Sequence, residues 1–160
     1  MNFTVPDLCD EFLSQIQILD PIFTAYGGQT KFHGDIVTIK CFEDNSLVKE
    51  TLNKDGWGKV LVVDGGASLK CALLGDLLGA MAARNGWQGI VINGCVRDVE
   101  ILKTINIGVY ALNCYPLKSE KRGEGQLNIP LEFAGVRFEP GCYLYADENG
   151  MILSDKALKL

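Results

Sequence analysis

The pattern of apolar and polar positions changes character along the chain. In the first part, segments with apolar residues at helical spacing alternate with short continuous apolar runs, which predicts helices alternating with strands. In the last part, short apolar segments are separated by glycine-containing turns, which predicts strands alone. The predicted helices are residues 4–19, 46–55, 75–85 and 98–105. The predicted strands are residues 35–42, 59–63, 90–92, 107–112, 127–133, 136–138, 142–145 and 150–153.

These elements favour an α/β fold, in which an alternating α/β first half precedes an antiparallel β second half. The segment 59–63 is apolar at nearly every position, as expected for an interior strand that is covered on both faces. Asn45 and Ser46 are expected to cap the helix that follows them, and residues 118–125 are polar enough to form a loop. A length of 160 residues suits one domain with a sizeable core, so we expect residues 1–160 to form a single domain.

Composition narrows the classes of function. Hydrophobic residues make up 48% and charged residues 22% of the chain, which is ordinary for a soluble globular protein. The net charge of -5 argues against a direct nucleic-acid-binding surface, since such surfaces are usually basic. No apolar stretch approaches the roughly 20 residues of a membrane helix, and the N-terminus shows no apolar signal region. These features predict a cytoplasmic protein without membrane contact.

The six cysteines predict buried thiols rather than disulfides or a metal site. They are widely and irregularly spaced, and no pair forms a C-x-x-C motif. Several lie in apolar runs, as Cys41 does beside Phe42, where a thiol acts as a small hydrophobe in a reducing cytoplasm. His33 is the only histidine, so a zinc site is not expected. We interpret His33 as a turn or core residue, just before a strand, rather than as a general base.

A glycine pair after the strand at residues 59–63 gives a partial match to a nucleotide-binding loop. The sequence from Asp64 to Ser68 lacks the full G-x-G-x-x-G pattern, and no acid stands at the usual place on the following strand. The alternative, which we favour, is a tight turn whose glycines let the backbone pass close to a neighbour or a ligand.

The strongest candidate for a functional site is the stretch from Gly75 to Asp98. Gly75 and Asp76 stand where a helix begins, so free backbone N–H groups are expected to point outward there. Arg97 and Asp98 follow the strand at residues 90–92, and a helix start and a strand end can lie side by side at the edge of an α/β sheet, where ligands collect. The residue types predict a pocket for a small carboxylic acid and a divalent metal. The alternative is a helix-start acid and a surface ion pair without a function, both of which are common.

The spacing within this stretch resembles that of a known family. Asp76 is followed by twenty residues and then by Arg97 and Asp98. This D-x20-R-D pattern resembles the family of 4-hydroxy-4-methyl-2-oxoglutarate aldolases, which also includes the regulator of ribonuclease activity A. The resemblance extends over nearly the whole chain, through the segments 41–45, 60–66 and 141–147.

The resemblance implies a swivelling β/β/α-type domain that assembles as a ring-like homotrimer with sites near the subunit interfaces. It implies a class II aldolase, dependent on Mg²⁺ or Mn²⁺, that releases pyruvate through an enolate and decarboxylates oxaloacetate as a side activity. Arg97 would bind the 2-oxo acid substrate, Asp98 would hold the metal, and Asp76 and Arg97 would be catalytic. The backbone that would hold the substrate carboxylate belongs to Gly75, Asp76, Leu77 and Leu78.

The residue types agree with that chemistry. Breaking a C–C bond next to a ketone moves negative charge onto the keto oxygen, and no lysine lies between Gly75 and Asp98 to form a Schiff base, so a metal is the natural electrophile. Mg²⁺ prefers carboxylate and water ligands and accepts only one or two protein carboxylates. Arg97 adds a fixed positive charge beside the enolate, and Asp76 is a candidate base for a water or the substrate hydroxyl.

The same family supplies an alternative function. Its ribonuclease-regulator branch uses the fold to bind and inhibit an endoribonuclease without catalysis, and in that branch the aspartate after the arginine tends to be replaced. Retention of Asp98 and Asp76 therefore favours the enzyme. One departure points the other way, because many aldolase members carry an acid three residues after this aspartate, where the chain has Ile101 beside Glu100.

Overall fold

The computed structural model describes residues 2–160, which form four α-helices and twelve strands. The helices are α1 (Val5–Phe12), α2 (Ser46–Leu52), α3 (Asp76–Arg84) and α4 (Val99–Leu102). The strands are β1 (Ile16–Ile18), β2 (Thr24–Ala25), β3 (Phe32–Lys40), β4 (Lys59–Asp64), β5 (Ala72–Leu74), β6 (Gly89–Val96), β7 (Gly108–Cys114), β8 (Gln126–Leu127), β9 (Leu131–Phe133), β10 (Val136–Phe138), β11 (Tyr143–Asp147) and β12 (Gly150–Ser154).

Ten of the strands form one sheet whose centre is parallel. The order along the sheet is β1-β12-β11-β3-β4-β6-β7-β2, with β5 beside β6 and β8 beside β3. The strands β3, β4, β6 and β7 run parallel to one another, whereas β11, β12 and β1 extend the sheet with antiparallel pairing. A separate antiparallel hairpin contains β9 and β10. The predicted α/β class, with alternating elements first and antiparallel strands afterwards, is confirmed.

The central strand β4 is buried on both faces. Leu61 and Val63 pack into the cluster that contains residues of α2, α3 and α4. Val60 and Val62 pack into the cluster that contains the β9–β10 hairpin. Full burial of such a side chain stabilises the fold by about 1.5–3 kcal/mol. The interior strand predicted from the continuous apolar run is therefore confirmed.

The predicted helix at residues 4–19 is wrong in its second half. Helix α1 starts as expected, with the Thr4 hydroxyl accepting the Asp7 N–H at 3.2 Å. It ends at Phe12, and after one 3-10 turn residues 16–18 form β1. The cause is a long-range contact, because β1 pairs with β12 at the far end of the chain. Such tertiary pairing overrides local helical spacing.

The predicted strand at residues 127–133 is interrupted. β8 pairs with β3, whereas β9 pairs with β10. The break between them contains Asn128, whose φ of 55° is left-handed, and Pro130, which has no N–H to donate to a ladder. Residues 118–125 form the predicted loop. The strands β2 and β5 were not predicted, because two or three residues are too few to establish a pattern.

All six cysteines are free thiols, and four of them are buried: Cys41, Cys71, Cys95 and Cys142. Burial raises the pKa of Cys41 to about 12, so this thiol stays protonated and acts as part of the core. Cys114 is exposed at the end of β7. Among the helices of residues 2–160, none combines the length and the apolar character needed to cross a membrane.

Candidate active site

The predicted functional stretch lies where β5 and β6 end at the same edge of the sheet. These strands are parallel neighbours, with Leu74 opposite Val96. Helix α3 begins almost directly after β5, and Arg97 follows β6. The Arg97 N–H donates to the Leu74 carbonyl at 2.9 Å, which fixes the strand end against the helix start. The structure therefore has the helix start beside the Arg-Asp pair, as the sequence predicts.

A left-handed turn at Asp98 directs its carboxylate toward the start of α3. Asp98 has a φ of 57°, and its Oδ2 accepts the Asp76 N–H at 3.2 Å. Gly75 makes room for this contact, because a Cβ atom at that position would lie 2.5 Å from Asp98 Oδ2. A side chain at position 75 would displace the carboxylate, which explains the glycine just before the helix.

Arg97 and Asp98 form a loose ion pair. Arg97 Nε lies 3.9 Å from Asp98 Oδ2, and the two side chains are 39% and 35% exposed. Arg97 Nη1 also donates to the Pro116 carbonyl at 3.4 Å. At this distance and exposure, an ion pair contributes at most about 1 kcal/mol. Both charged groups therefore remain available to a ligand.

The first turn of α3 donates hydrogen bonds to carboxylates of the chain itself. The Asp76 N–H donates to Asp98, and the Leu77 N–H donates to Asp76 Oδ1 at 2.9 Å. The N-terminal amides of a helix carry a partial positive charge and favour anions. A substrate carboxylate that bound here would take the place of these internal acceptors.

All six predicted site residues line one cavity of about 290 Å³: Gly75, Asp76, Leu77, Leu78, Arg97 and Asp98. The cavity is also lined by polar side chains that the sequence did not connect with the site: Asn45, Lys49, Lys118 and Lys121. The lining has four basic and two acidic side chains, and this excess of positive charge favours an anionic ligand.

A larger cavity of about 460 Å³ lies beside α1, between Pro6 and Met151. Its lining contains the carboxylates of Asp20 and Glu148 but neither lysine nor arginine. It therefore offers no cation to an anionic ligand. The smaller cavity is the candidate active site because it brings the six predicted residues together with an excess of basic side chains.

Asn45 contributes a buried amide oxygen without a partner. The residue is only 8% exposed, and its Nδ2 donates to the Leu73 carbonyl at 3.0 Å. Its Oδ1 has no hydrogen-bond partner among residues 2–160, and a buried acceptor in that state costs about 1–3 kcal/mol. Because Asn45 lines the cavity, a hydroxyl group or a water of a bound ligand would satisfy this oxygen.

The capping role predicted for Asn45 is wrong. Its side chain makes no cap hydrogen bond to α2. The preceding residue caps the helix instead, since Asp44 Oδ1 accepts the Ser46 N–H at 2.9 Å. An asparagine just before a helix is commonly its cap. Because this pattern predicts capping, no local feature of the sequence indicated that Asn45 lines the cavity.

Three lysines line the cavity from outside the predicted stretch. Lys49 lies on α2, and Lys118 and Lys121 lie in the predicted loop. The absence of lysine from residues 75–98 therefore does not remove lysine from the site. All three lysines are exposed, whereas a Schiff-base lysine is typically activated by desolvation or by a neighbouring cation. Their exposure favours electrostatic binding of a substrate.

The donor set of the cavity fits a hard divalent cation held by few protein ligands. Its carboxylates are Asp76 and Asp98, and within residues 2–160 no group of three His, Cys, Asp or Glu side chains converges on a metal position. Mg²⁺ and Mn²⁺ accept one or two carboxylates, with water completing the shell. The contacts of Asp98 to Asp76 and Arg97 both use Oδ2, so its Oδ1 keeps lone pairs for a cation.

The other sequence candidates do not line this cavity. Gly65 packs closely against the sheet, since a Cβ atom there would lie 2.6 Å from Leu73 Cδ1, which supports the tight turn. His33 lies within β3 rather than before it, with Nδ1 2.7 Å from Tyr143 Oη. Burial lowers the pKa of His33, and its ring stacks on Tyr143 and Tyr145. These contacts are those of a structural histidine.

The sheet edge, the helix start and the Arg-Asp pair together define an α/β protein with a candidate site for a small anionic ligand. Residues 5–153 match the RraA-like family, described as Aldolase/RraA. The chain belongs to this family, and the resemblance stated from the sequence is confirmed.

The relatives of the chain carry names from both branches of the family. A Pseudomonas aeruginosa strain LESB58 protein, provisionally named 4-hydroxy-4-methyl-2-oxoglutarate aldolase, is 56% identical over 160 residues, which cover 100% of this chain and 99% of the relative. An Azotobacter vinelandii protein with the same name has the same identity and coverage. The RNA-processing inhibitor RraA from Thermus thermophilis has a TM-score of 0.96 at 42% identity, covering 99% of this chain and 96% of that one. A Geobacillus kaustophilus HTA426 protein is described as an S-adenosylmethionine:2-dimethylmenaquinone methyltransferase. Its structure has a TM-score of 0.96 at 46% identity, and the match covers 98% of this chain and 97% of that one. The family and these relatives support an aldolase or an RraA-type function.

Proposed function

We propose that the protein is a class II aldolase that uses Mg²⁺ or Mn²⁺ to cleave 4-hydroxy-4-methyl-2-oxoglutarate to pyruvate in the cytoplasm. The observation that carries the proposal is the single cavity lined by Asp98, Arg97 and the start of α3. A carboxylate for a cation, a fixed guanidinium and helix amides are the groups that a 2-oxo acid and its enolate need. The names of the relatives support the same substrate.

Cleavage of this substrate needs a base at one end and charge stabilisation at the other. The base removes the proton of the C4 hydroxyl, the C3–C4 bond breaks, and its electron pair forms the enolate that carries negative charge on the 2-oxo oxygen. The C4 fragment leaves as one pyruvate, and protonation of the enolate at C3 produces the second. A divalent cation bound at Asp98 would act as a Lewis acid toward the 2-oxo group.

The residues of the cavity divide the remaining tasks. The first turn of α3 would bind the carboxylate next to the 2-oxo group, and Arg97 would hold the same end of the substrate with its planar donors. We assign Asp76 as the base, because it is the second carboxylate of the cavity. Lys118 and Lys121 would bind the distal carboxylate, and Asn45 Oδ1 would accept a hydrogen bond from the substrate or from a bound water.

Oxaloacetate decarboxylation is proposed as a side activity of the same cavity. Loss of CO2 from C4 of oxaloacetate leaves the same pyruvate enolate, so Arg97 would stabilise it in the same way. This reaction starts without removal of a hydroxyl proton, and it therefore makes no demand on the base.

The two activities should separate in an Asp76→Asn variant. Because only aldol cleavage needs the base, we expect its kcat to fall by at least about 100-fold, while decarboxylation falls by less than about tenfold. Pyruvate release coupled to lactate dehydrogenase measures both rates on the same preparation. If kcat falls by the same factor in both reactions, Asp76 is not the base.

We also propose a homotrimer in which the cavity lies near a subunit interface. Large apolar side chains on the cavity and its flanks are exposed in a single chain, with Leu77 80%, Ile101 50% and Leu117 59% exposed. Exposed apolar patches of this kind mark interaction surfaces. Light scattering on the purified protein should therefore report three times the mass of one chain. A monomer at micromolar concentration would contradict the assembly.

The second candidate function is a regulator that binds and inhibits an endoribonuclease. The observation that favours it is the 42% identity to the Thermus thermophilis RNA-processing inhibitor over nearly the whole chain. Titration against the endoribonuclease from the same organism, followed by an RNA-cleavage assay, tests it. Absence of binding at micromolar protein together with normal RNA cleavage would reject this function.

A further inference from the structure

The loop at residues 117–125, here named the lysine loop, supplies Lys118 and Lys121 to the cavity. Apart from a single bridge between Lys118 and Ala72, it belongs to no strand or helix. A loop without regular structure needs other hydrogen bonds to hold a defined conformation. Most of those hydrogen bonds come from one segment, residues 44–46, which lies just before and at the start of α2. Two others lie elsewhere, since Arg122 Nη2 donates to the Phe42 carbonyl at 3.1 Å and the Ala72 N–H donates to the Leu117 carbonyl at 2.7 Å.

The carboxylate of Asp44 is the centre of this contact. Asp44 is fully buried, and its Oδ2 accepts the amide N–H groups of Arg122 at 2.9 Å and Glu124 at 3.0 Å. Its Oδ1 accepts the hydroxyl of Ser46 at 2.5 Å and the Ser46 N–H at 2.9 Å. One oxygen therefore caps α2, and the other binds two amides of the lysine loop.

The two neighbours of this carboxylate reinforce the contact. Ser46 Oγ accepts the Gly123 N–H at 3.1 Å, and the Asn45 N–H donates to Ser119 Oγ at 3.1 Å. The same three consecutive residues thus hold the lysine loop and place Asn45 in the cavity lining.

The charge of Asp44 is needed for these contacts. Burial alone would raise the pKa of its carboxyl, but the hydrogen bonds from Ser46, Glu124 and Arg122 hold the pKa well below its ordinary range. The group is therefore ionised at neutral pH, and hydrogen bonds to an ionised acceptor are roughly twice as strong as neutral ones.

Helix capping alone does not account for Asp44, because capping uses only Oδ1 while Oδ2 is engaged 78 and 80 residues away along the chain. The ion pairs of the lysine loop do not replace it. Arg122 lies 4.0 Å from Glu120 and 3.7 Å from Glu124, and all three side chains are substantially exposed, so these pairs contribute little to the conformation of the loop.

We infer that Asp44 is a positioning residue, whose carboxylate holds the lysine loop so that Lys118 and Lys121 line the substrate cavity. The kinetic consequence rests on the proposed aldolase function, whereas the anchoring of the loop does not. The two parts are therefore tested by separate measurements.

Trypsin cleavage of the folded protein tests the anchoring. Trypsin cuts after Lys118, Lys121 and Arg122, and cleavage of a folded loop requires its local release. Asp44→Asn places an amide donor against amide donors, so we expect cleavage within the lysine loop to become at least about tenfold faster. The matched control is Asp147→Asn, because Asp147 is also buried and accepts the N–H groups of Val5 and Asn149. That variant should leave cleavage in the lysine loop at the wild-type rate.

Steady-state kinetics on the aldolase substrate test the consequence for the cavity. Asp44→Asn is expected to lower kcat/KM by about the same factor as the double variant that carries Lys118→Ala and Lys121→Ala. When all three substitutions are combined, kcat/KM should fall no further than in the more impaired of these two variants. Independent sites would instead give multiplied losses. Asp147→Asn should keep the wild-type kcat/KM.

An unchanged rate of trypsin cleavage in Asp44→Asn would overturn the inference that Asp44 anchors the lysine loop. If the losses of kcat/KM multiply in the triple variant, Asp44 does not act through Lys118 and Lys121. Absence of aldolase activity in the wild-type protein would instead reject the proposed function, while the cleavage result would still decide the anchoring.

If Asp44→Asn does not fold, Ser46→Ala takes its place, since it removes the hydroxyl that joins Asp44 to Gly123. Cleavage should then rise by at least about threefold, and an unchanged rate would overturn the inference.

Discussion

Asp98→Asn is expected to reduce aldolase activity by at least about 100-fold, because it removes the charge that would hold the divalent cation. Asparagine is the informative replacement at this position. It tolerates the left-handed backbone, with its φ of 57°, better than alanine does, and its amide oxygen can still accept the Asp76 N–H. The loss of activity would therefore report the missing charge rather than a distorted turn.

Pyruvate release across a Mg²⁺ titration measures this effect. The Asp98→Asn variant should stay near the rate without metal at every Mg²⁺ concentration, whereas the wild-type rate should saturate. Asp10→Asn is a suitable control, since Asp10 is an exposed residue of α1 and does not line the cavity. If the wild-type protein stays active in EDTA, or if Asp98→Asn keeps full activity, Asp98 does not hold a catalytic metal.

Arg97→Lys is expected to lower kcat/KM by roughly 10- to 100-fold, although the positive charge is kept. A guanidinium offers five donors in a planar fork, and an ammonium group cannot reproduce its two-point contact with a carboxylate or an enolate. The hydrogen bond from Arg97 Nη1 to the Pro116 carbonyl would also be lost, so the shorter reach of lysine would leave the cation poorly placed. The loss should appear in both kcat and KM, because Arg97 would bind substrate and stabilise the enolate.

The control for this variant is Arg84→Lys, which makes the same replacement in the last turn of α3 at a residue that does not line the cavity. It should leave kcat and KM unchanged. Thermal denaturation of both variants separates kinetic from folding effects, and a surface ion pair as weak as that of Arg97 predicts nearly equal stability. Wild-type kinetics in Arg97→Lys would show that this residue contributes charge alone.

The core of the site was predictable from the sequence because it is local. The segment from Gly75 to Asp98 contains one helix and one strand, and the chain between them is too short to separate the helix start from the strand end by much. The pairing of Leu74 with Val96 then brings both ends to one edge of the sheet. The D-x20-R-D spacing therefore pointed to Asp76, Arg97 and Asp98, and the family resemblance implied Gly75, Leu77 and Leu78, before any tertiary contact was known.

The rest of the cavity depends on contacts between distant parts of the chain. Asn45 and Lys49 come from the α2 region, and the lysine loop comes from residues 117–125. Their approach is set by Asp44, whose Oδ2 binds two amides of that loop. Nothing in the local pattern distinguishes this aspartate from an ordinary helix cap, and nothing distinguishes the loop from a solvated polar segment.

The same distinction explains the errors in the predicted elements. The stretch after Phe12 has helical spacing, but pairing of β1 with β12 makes it a strand. That pairing joins residues 16–18 to residues 152–154, and no window along the sequence contains both. By itself, the sequence determined the α/β class and the helix-strand unit of the site, because these follow from short-range spacing, and its resemblance to known members indicated the family. Only the tertiary structure decided which strands lie at the sheet edges, that three lysines line the cavity, and that the buried Asn45 Oδ1 has no partner. These features depend on hydrogen bonds and packing between distant parts of the chain.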